Sequence, residues 1–129
     1  MIRLVADPFP SDEQLAPLWL AAWGSPLDAG YAERILRRSL VHVGAYDGER
    51  LVGLVNVAWD GGIHAFLLDT TIHPNVQRQA IATSLVRKAA ELARERGAGW
   101  LHVDFEPQLE GFYRGCGFHA TAAGLIALK

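Results

Sequence analysis

Sixteen residues, Leu68-Asp69-Thr70-Thr71-Ile72-His73-Pro74-Asn75-Val76-Gln77-Arg78-Gln79-Ala80-Ile81-Ala82-Thr83, carry the chemistry most directly legible in this chain. A β-branched run, a Pro-Asn turn and small residues opening a helix place the unpaired amides of a first helical turn at the end of a strand. Such amides, with the helix dipole behind them and Arg78 beside them, form an anion site, so a phosphorylated ligand is the first expectation. The G-x-x-x-x-G-K-[ST] pattern of a phosphate-loop NTPase and the G-x-G-x-x-G dinucleotide fingerprint are both absent.

Acids and aromatic residues supply further candidates. Strand alternation over 100–105 and into 106 puts His102, Asp104 and Glu106 on one face, and Asp69, Thr71 and His73 alternate likewise on the neighbouring strand. Asp69, Asp104 and Glu106 together would make an acidic pocket suited to a cationic amine. Leu109, Phe112, Tyr113 and Cys116 recur at helical spacing as an apolar stripe, where Tyr113 can pack its ring and still turn its hydroxyl to a ligand. On that stripe Cys116 reads as a buried structural thiol rather than a nucleophile. Trp59, His64 and Phe66, around the Asp60-Gly61-Gly62 turn, and the loop over 23–31 could line the pocket entrance, although packing is the better explanation for aromatic residues at strand ends.

The elements that must hold these residues follow from periodicity and turn chemistry. A strand is expected over 2–5, and Ser11 before Asp12 and Glu13 starts a helix to about 23, broken by Gly24-Ser25-Pro26. Asp28 is expected to cap a second helix through 40. Strands over 41–46 and 51–59 form a hairpin about Asp47-Gly48-Glu49, and a third runs over 63–72. An amphipathic helix over 80–96 carries Ile81, Leu85, Ala89 and Leu92 on one face. A strand over 100–105, a helix over 108–115 and a last β segment over 125–128 complete the chain. The strand, helix, strand passage over 63–105 is a βαβ unit with two parallel strands and a right-handed crossover.

Composition narrows the function classes. With 129 residues, half of them hydrophobic and a fifth charged, the chain suits one globular domain and excludes disorder. A net charge of −2 provides no general attraction to nucleic acid or anionic membrane, and neither partner is expected. The single cysteine rules out an internal disulfide and multi-cysteine zinc patterns. No signal peptide and no membrane-spanning run is apparent, and a cytoplasmic location is expected.

Gln77-Arg78-Gln79-Ala80-Ile81-Ala82, flanked by Pro74 and followed by an amphipathic helix and then Phe112-Tyr113-Arg114-Gly115-Cys116-Gly117-Phe118, resembles the GNAT family of N-acetyltransferases. The family loop reads Gln or Arg, two residues, Gly, one residue, then Gly or Ala; Gln77, Ala80 and Ala82 fill the three positions. Ala80 departs from the family's Gly, and its methyl narrows the backbone's approach to phosphate. The resemblance implies that Gln77, Arg78, Gln79, Ala80, Ile81, Ala82 and Thr83 hold the acetyl-CoA pyrophosphate. It implies too that the Ile72 backbone pairs with the pantetheine arm, and that Tyr113 contacts the cofactor and donates to the departing thiolate.

Glu106 stands where many family members carry Asn, and Asp69 where some carry an acid; either could be the base. The fold class implied is α/β, of the α+β type. It is a single GNAT-like domain over 1–129 whose mixed central sheet of about six to seven strands is flanked by about four helices. The activity implied is direct acetyl transfer from acetyl-CoA to a primary amine in a ternary complex, with no metal. The acceptor is a small molecule or a peptide, and the last β segment could pair across a homodimer. The alternatives are a CoA-binding module with weak or no catalysis, and a metal-dependent protein of the vicinal-oxygen-chelate type, whose F-Y-x-x-x-G-F segment 112–118 also matches.

Overall fold

The computed structural model describes every residue except Gln77. Five strands lie in one sheet in chain order: β1 (Ile2–Ala6), β2 (Val41–Asp47), β3 (Arg50–Trp59), β4 (His64–Ile72) and β5 (Trp100–His102). The first four are antiparallel; tight turns join β2 to β3 and β3 to β4, whereas residues 7–40, with two helices, lie between β1 and β2. Gly48, at φ 62°, turns β2 into β3; Gly61, at φ 85°, turns β3 into β4 while Asp60 Oδ1 accepts from the Gly62 amide at 2.7 Å. β5 is parallel to β4 and is reached through α3 (Arg78–Glu95), the expected βαβ unit.

Each face of the sheet has its own core. The apolar stripe of α3, with Ile81, Leu85, Val86, Ala89 and Ala93 buried, packs among Val43, Ala45, Val52, Val55, Val57, Ala65 and Leu67. Opposite, α1 (Asp12–Trp23) and α2 (Tyr31–Arg34) bury Leu15, Leu18 and Tyr31 with Leu36, Tyr46, Leu51 and Leu54. α1 starts with a capping box: Ser11 accepts from the Gln14 amide, and the Gln14 side chain accepts from the Ser11 amide. α4 (Glu110–Gly115) follows β5. Among the described residues no helix is long and apolar enough to cross a membrane.

Four expectations are corrected. The sheet has five strands, not six to seven, because the apolar segment 125–128 joins no strand: Leu125, Ile126 and Leu128 are exposed, with no second strand to complete a ladder. β5 ends at His102 rather than at 105, since the exposed Asp104, Phe105 and Glu106 lead into Pro107, which has no amide to give a ladder. The second helix is not continuous; α2 ends at Arg34, and after Ile35 a 3-10 turn, Leu36–Arg38, brings Leu36 to burial. Its cap is not Asp28 but Asp12, whose carboxylate accepts from the amides of Gly30 at 2.7 Å and Ala32 at 3.0 Å.

An irregularity in β4 decides which way its side chains face. Asn56 pairs with Leu68 and Leu54 with Thr71, so Val55 stands opposite both Asp69 and Thr70. This is a β-bulge, and Asp69 takes the left-handed conformation at φ 55°. Ala65 and Leu67 face α3, and strict alternation would send Asp69 there as well. The bulge instead turns Asp69 and Thr71 toward α1 and α2, where they meet Tyr31 and Trp23.

Candidate functional site

Two open features flank β4, one along its edge and one over its face. Only His64, Ala65 and Phe66 pair with β5, so residues 67–72, Ile72 included, have no β5 partner on that edge. The chain then turns at Pro74 and Asn75, with His73 Nδ1 accepting from the Asn75 amide at 3.1 Å, and enters α3. In the first turn of α3, Arg78, Gln79 and Ala80 are exposed, Ile81 and Ala82 are buried and Thr83 is half-buried. First-turn amides lack intrahelical acceptors, and Ala80, exposed in that turn, carries only a methyl. Free amides at a helix start beside an unpaired strand edge fit a pyrophosphate with an extended amide-bearing arm. Of the expected loop residues, Gln77 lies outside the described residues.

Tyr113 reaches the same side of the sheet from α4. Its ring is buried in the α3 core, stacked on Phe105 at 4.9 Å and edge-on to Phe112 and Phe118. No described residue hydrogen-bonds its hydroxyl. Packing of the ring is compatible with either expectation for this residue. Cys116 sits half-buried where α4 meets α3, and burial, opposed by nearby Arg87, pushes its thiol up. A protonated thiol is a poor nucleophile.

The second feature is a cleft of about 490 Å³ over the α1 face of β4, lined by Trp19, Ser25, Pro26, Asp28, Tyr31, Ile35 and Asp69. Tyr31 donates its hydroxyl to Asp69 Oδ2 at 2.7 Å. Burial, with Asp69 alongside, pushes the Tyr31 phenol far up, so it remains a donor at every physiological pH. Trp23 Nε1 donates to Thr71 Oγ1 at 3.1 Å, and Thr71 Oγ1 donates in turn to the Asp69 carbonyl at 2.9 Å. The wall is pinned by Asp12, whose carboxyl is held below its ordinary range by the Ala32 and Gly30 amides.

The expected acidic trio does not form this cleft. Asp69 lines it with Asp28, whereas Asp104 and Glu106 are exposed beyond β5, the Glu106 carbonyl accepting from the Leu109 amide at 2.9 Å. Asp28, Trp19 and Ile35 carry no site expectation from sequence, Asp28 reading there as a helix cap; the signal that could have found them is their place in or beside the loop over 23–31 that joins α1 to α2. Of the entrance residues, His64 and Phe66 lie by β5, with His64 Nδ1 and His102 Nε2 hydrogen-bonded at 2.9 Å and Phe66 stacked on His102 at 4.7 Å. Among the described residues no group of three or more His, Cys, Asp or Glu comes together to hold a metal ion.

This geometry, a splayed parallel strand pair beside an open helix start with a cleft on the opposite face, coincides with a family assignment. Residues 1–118 match the Acetyltransferase (GNAT) family, and the chain belongs to that family. A GNAT family acetyltransferase from Streptococcus pneumoniae TIGR4 is 28% identical over the whole of both chains, with a TM-score of 0.80. A probable acetyltransferase from meticillin-resistant Staphylococcus aureus is 23% identical, covering 100% of this chain and 99% of its own, with a TM-score of 0.84. The aminoglycoside N-acetyltransferase AAC(6')-Iy, solved with CoA, is 16% identical over 100% of this chain and 95% of its own, with a TM-score of 0.77. No curated relative matches the sequence.

Proposed function

We propose that the chain transfers an acetyl group from acetyl-CoA to a primary amine by direct attack, both substrates being held at once. The observation that carries this reading is the Tyr31–Asp69 pair in an aromatic cleft on one face of β4, the strand whose free edge leads into α3. Acetyl-CoA supplies the activated thioester. Arg78, Gln79, Ala80, Ile81, Ala82 and Thr83 hold the pyrophosphate through first-turn amides, the Thr83 hydroxyl and the helix dipole, and Ile72 offers its backbone to the pantetheine arm. The family's small loop residues and its CoA-bound neighbour support that placement.

Asp69 and Asp28 draw an ammonium into the cleft, and Asp69, fixed by Tyr31, orients it. A carboxylate is a far weaker base than an alkylamine. The bound ammonium therefore first gives one proton to water, and the neutral amine so formed attacks the thioester carbonyl; Asp69 takes a second proton from that nitrogen as the new C–N bond forms and the nitrogen becomes acidic. Tyr113 donates its hydroxyl proton to the departing sulfur. The lone half-buried cysteine accords with a reducing compartment, and we place the protein in the cytoplasm.

A thiol-release assay over an amine library tests the reading. Tyr113→Phe keeps the ring packing and should lower kcat by about 10²-fold or more while CoA affinity stays unchanged. Full turnover in that variant removes Tyr113 from the mechanism. Asp69→Asn keeps a residue tolerant of left-handed backbone and an acceptor for Tyr31 while deleting the charge. If it retains turnover, Glu106 becomes the base to test. CoA binding without thiol release from any amine would leave a binding module.

A further inference from the structure

We infer that the acceptor is an arylalkylamine, a primary amine on a short chain ending in a flat aromatic body; this rests on the proposed amine cleft and extends it. The bulge in β4 places Leu68 immediately before Asp69 on the α1 side of the sheet, at a point where the strand is exposed. Asn56, the β3 partner of Leu68, is buried and hydrogen-bonded to Ser39 behind the 3-10 turn. α1 reaches β4 at Thr71 through Trp23. Neither covers Leu68 or Phe66, which are 39% and 38% exposed.

Phe66 does not stand alone. The His102 imidazole lies on it at 4.7 Å with the ring planes 25° apart, and His64 holds that imidazole by a 2.9 Å hydrogen bond. Leu68 and the Phe66–His102 stack thus form an exposed strip on the strand residues that precede Asp69, outside the residues that line its cleft. At the usual rise per strand residue, Phe66 lies about 7 Å along β4 from Leu68. An ammonium at Asp69 on a two- or three-atom tether would lay a ring over the strip.

Charge selects the head of such a ligand and the strip selects its tail. A polyamine or amino sugar would leave the strip in water and place its other polar groups on Leu68 and Phe66, an unfavourable contact. An aromatic ring covers both residues and stacks.

Steady-state acetylation should be compared for 2-phenylethylamine, propylamine, spermidine and glucosamine, with calorimetric binding of each amine in the absence of acetyl-CoA. The expected result is the highest kcat/KM and the tightest binding for 2-phenylethylamine. In Phe66→Ser and Leu68→Gln, both at exposed positions, its KM should rise about tenfold while kcat and the kcat/KM for propylamine stay as they were. Acetylation of spermidine or glucosamine at equal or better efficiency, or an unchanged KM in both variants, overturns the arylalkylamine assignment and leaves acetyl transfer standing. A changed oligomeric state or melting temperature with unaltered KM assigns the strip to another protein surface and also overturns it. Absence of acetylation with every amine, despite CoA binding, overturns the transferase reading itself.

Discussion

Replacing Tyr31 by Phe removes one oxygen from the cleft and leaves the ring where it is. Tyr31 is 3% exposed and packs against Trp19 at 5.0 Å, so the substitution opens no cavity and the apolar burial is kept. What is lost is the 2.7 Å bond to Asp69 Oδ2. A hydrogen bond to a charged acceptor contributes about 1.5–3 kcal/mol net, and Asp69, at the cleft rim, recovers part of that from water. The expected cost is about 1–2 kcal/mol, which for a chain of this size lowers Tm by roughly 4–8 °C. Urea denaturation of Tyr31→Phe, Asp69→Ala and the double variant isolates the pair. The backbone strain that Ala brings at position 69 appears in both arms of the cycle and cancels. A coupling of about 1 kcal/mol or more is expected. Additivity to within about 0.3 kcal/mol would refute the claim that this bond holds the cleft together.

Other expectations concern the core, pH and the phosphate loop. Leu85 is fully buried, and Leu85→Ala should cost about 2–5 kcal/mol in urea melts; a loss below 1 kcal/mol would mean that α3 is not seated as described. A methyl on Gly53 would come within 3.0 Å of Leu85 Cδ1 and 3.3 Å of Ala45 and Ile72, so Gly53→Ala should cost about 1–3 kcal/mol alone and much less beside Leu85→Ala. Equal costs in the two backgrounds would contradict that contact. His42 is fully buried, accepts from the Phe9 amide at 3.0 Å and is held below its ordinary pKa of 6.5 by burial. Its neutral form is the folded one, so its contribution is complete above pH 6.5 and is lost as pH falls toward the lowered folded value. Tm should therefore decline from pH 6.5 downward, and His42→Gln should flatten the first part of that decline; an unchanged slope would exclude His42 as its source. Ala80 is exposed, so Ala80→Glu should melt like the parent yet weaken CoA binding at least about tenfold by calorimetry. Undiminished binding would mean that the loop does not hold the phosphates.

Elements whose partners lie nearby in sequence were the legible ones. α3 announced itself because Ile81, Leu85 and Ala89 repeat at helical spacing, and the β2–β3 turn because Gly48 supplies a positive φ. In the sequence Asp12 is only an acid in the first turn of α1; its capping of α2, eighteen and twenty residues onward, is a tertiary contact without a local signature. Tyr31 reads as the last residue of an entrance loop, but its bond to Asp69 is likewise a tertiary contact that appears only when β4 brings Asp69 to it. The run over 125–128 has strand composition, but a strand exists only beside another, and composition does not say whether one is there. For the site, residue types and spacing located the loop and Tyr113, while the partition of the acids between cleft and solvent depended on a bulge that no glycine marks.

That bulge works as a phase shift in the strand's two-residue rhythm. Asp69 is one residue more than the ladder needs, so everything after it is read in the opposite frame from everything before. A strand without it would carry the same residue types and point each of them the wrong way: Asp69 into the apolar layer under α3, and Ile72 out of it. One supernumerary residue thus lets a single strand serve two solvents, turning aliphatic side chains to the core along its length and a carboxylate to the cleft at one point. An insertion or deletion there would be felt as a change of frame, whereas most substitutions elsewhere on β4 would change one contact at a time.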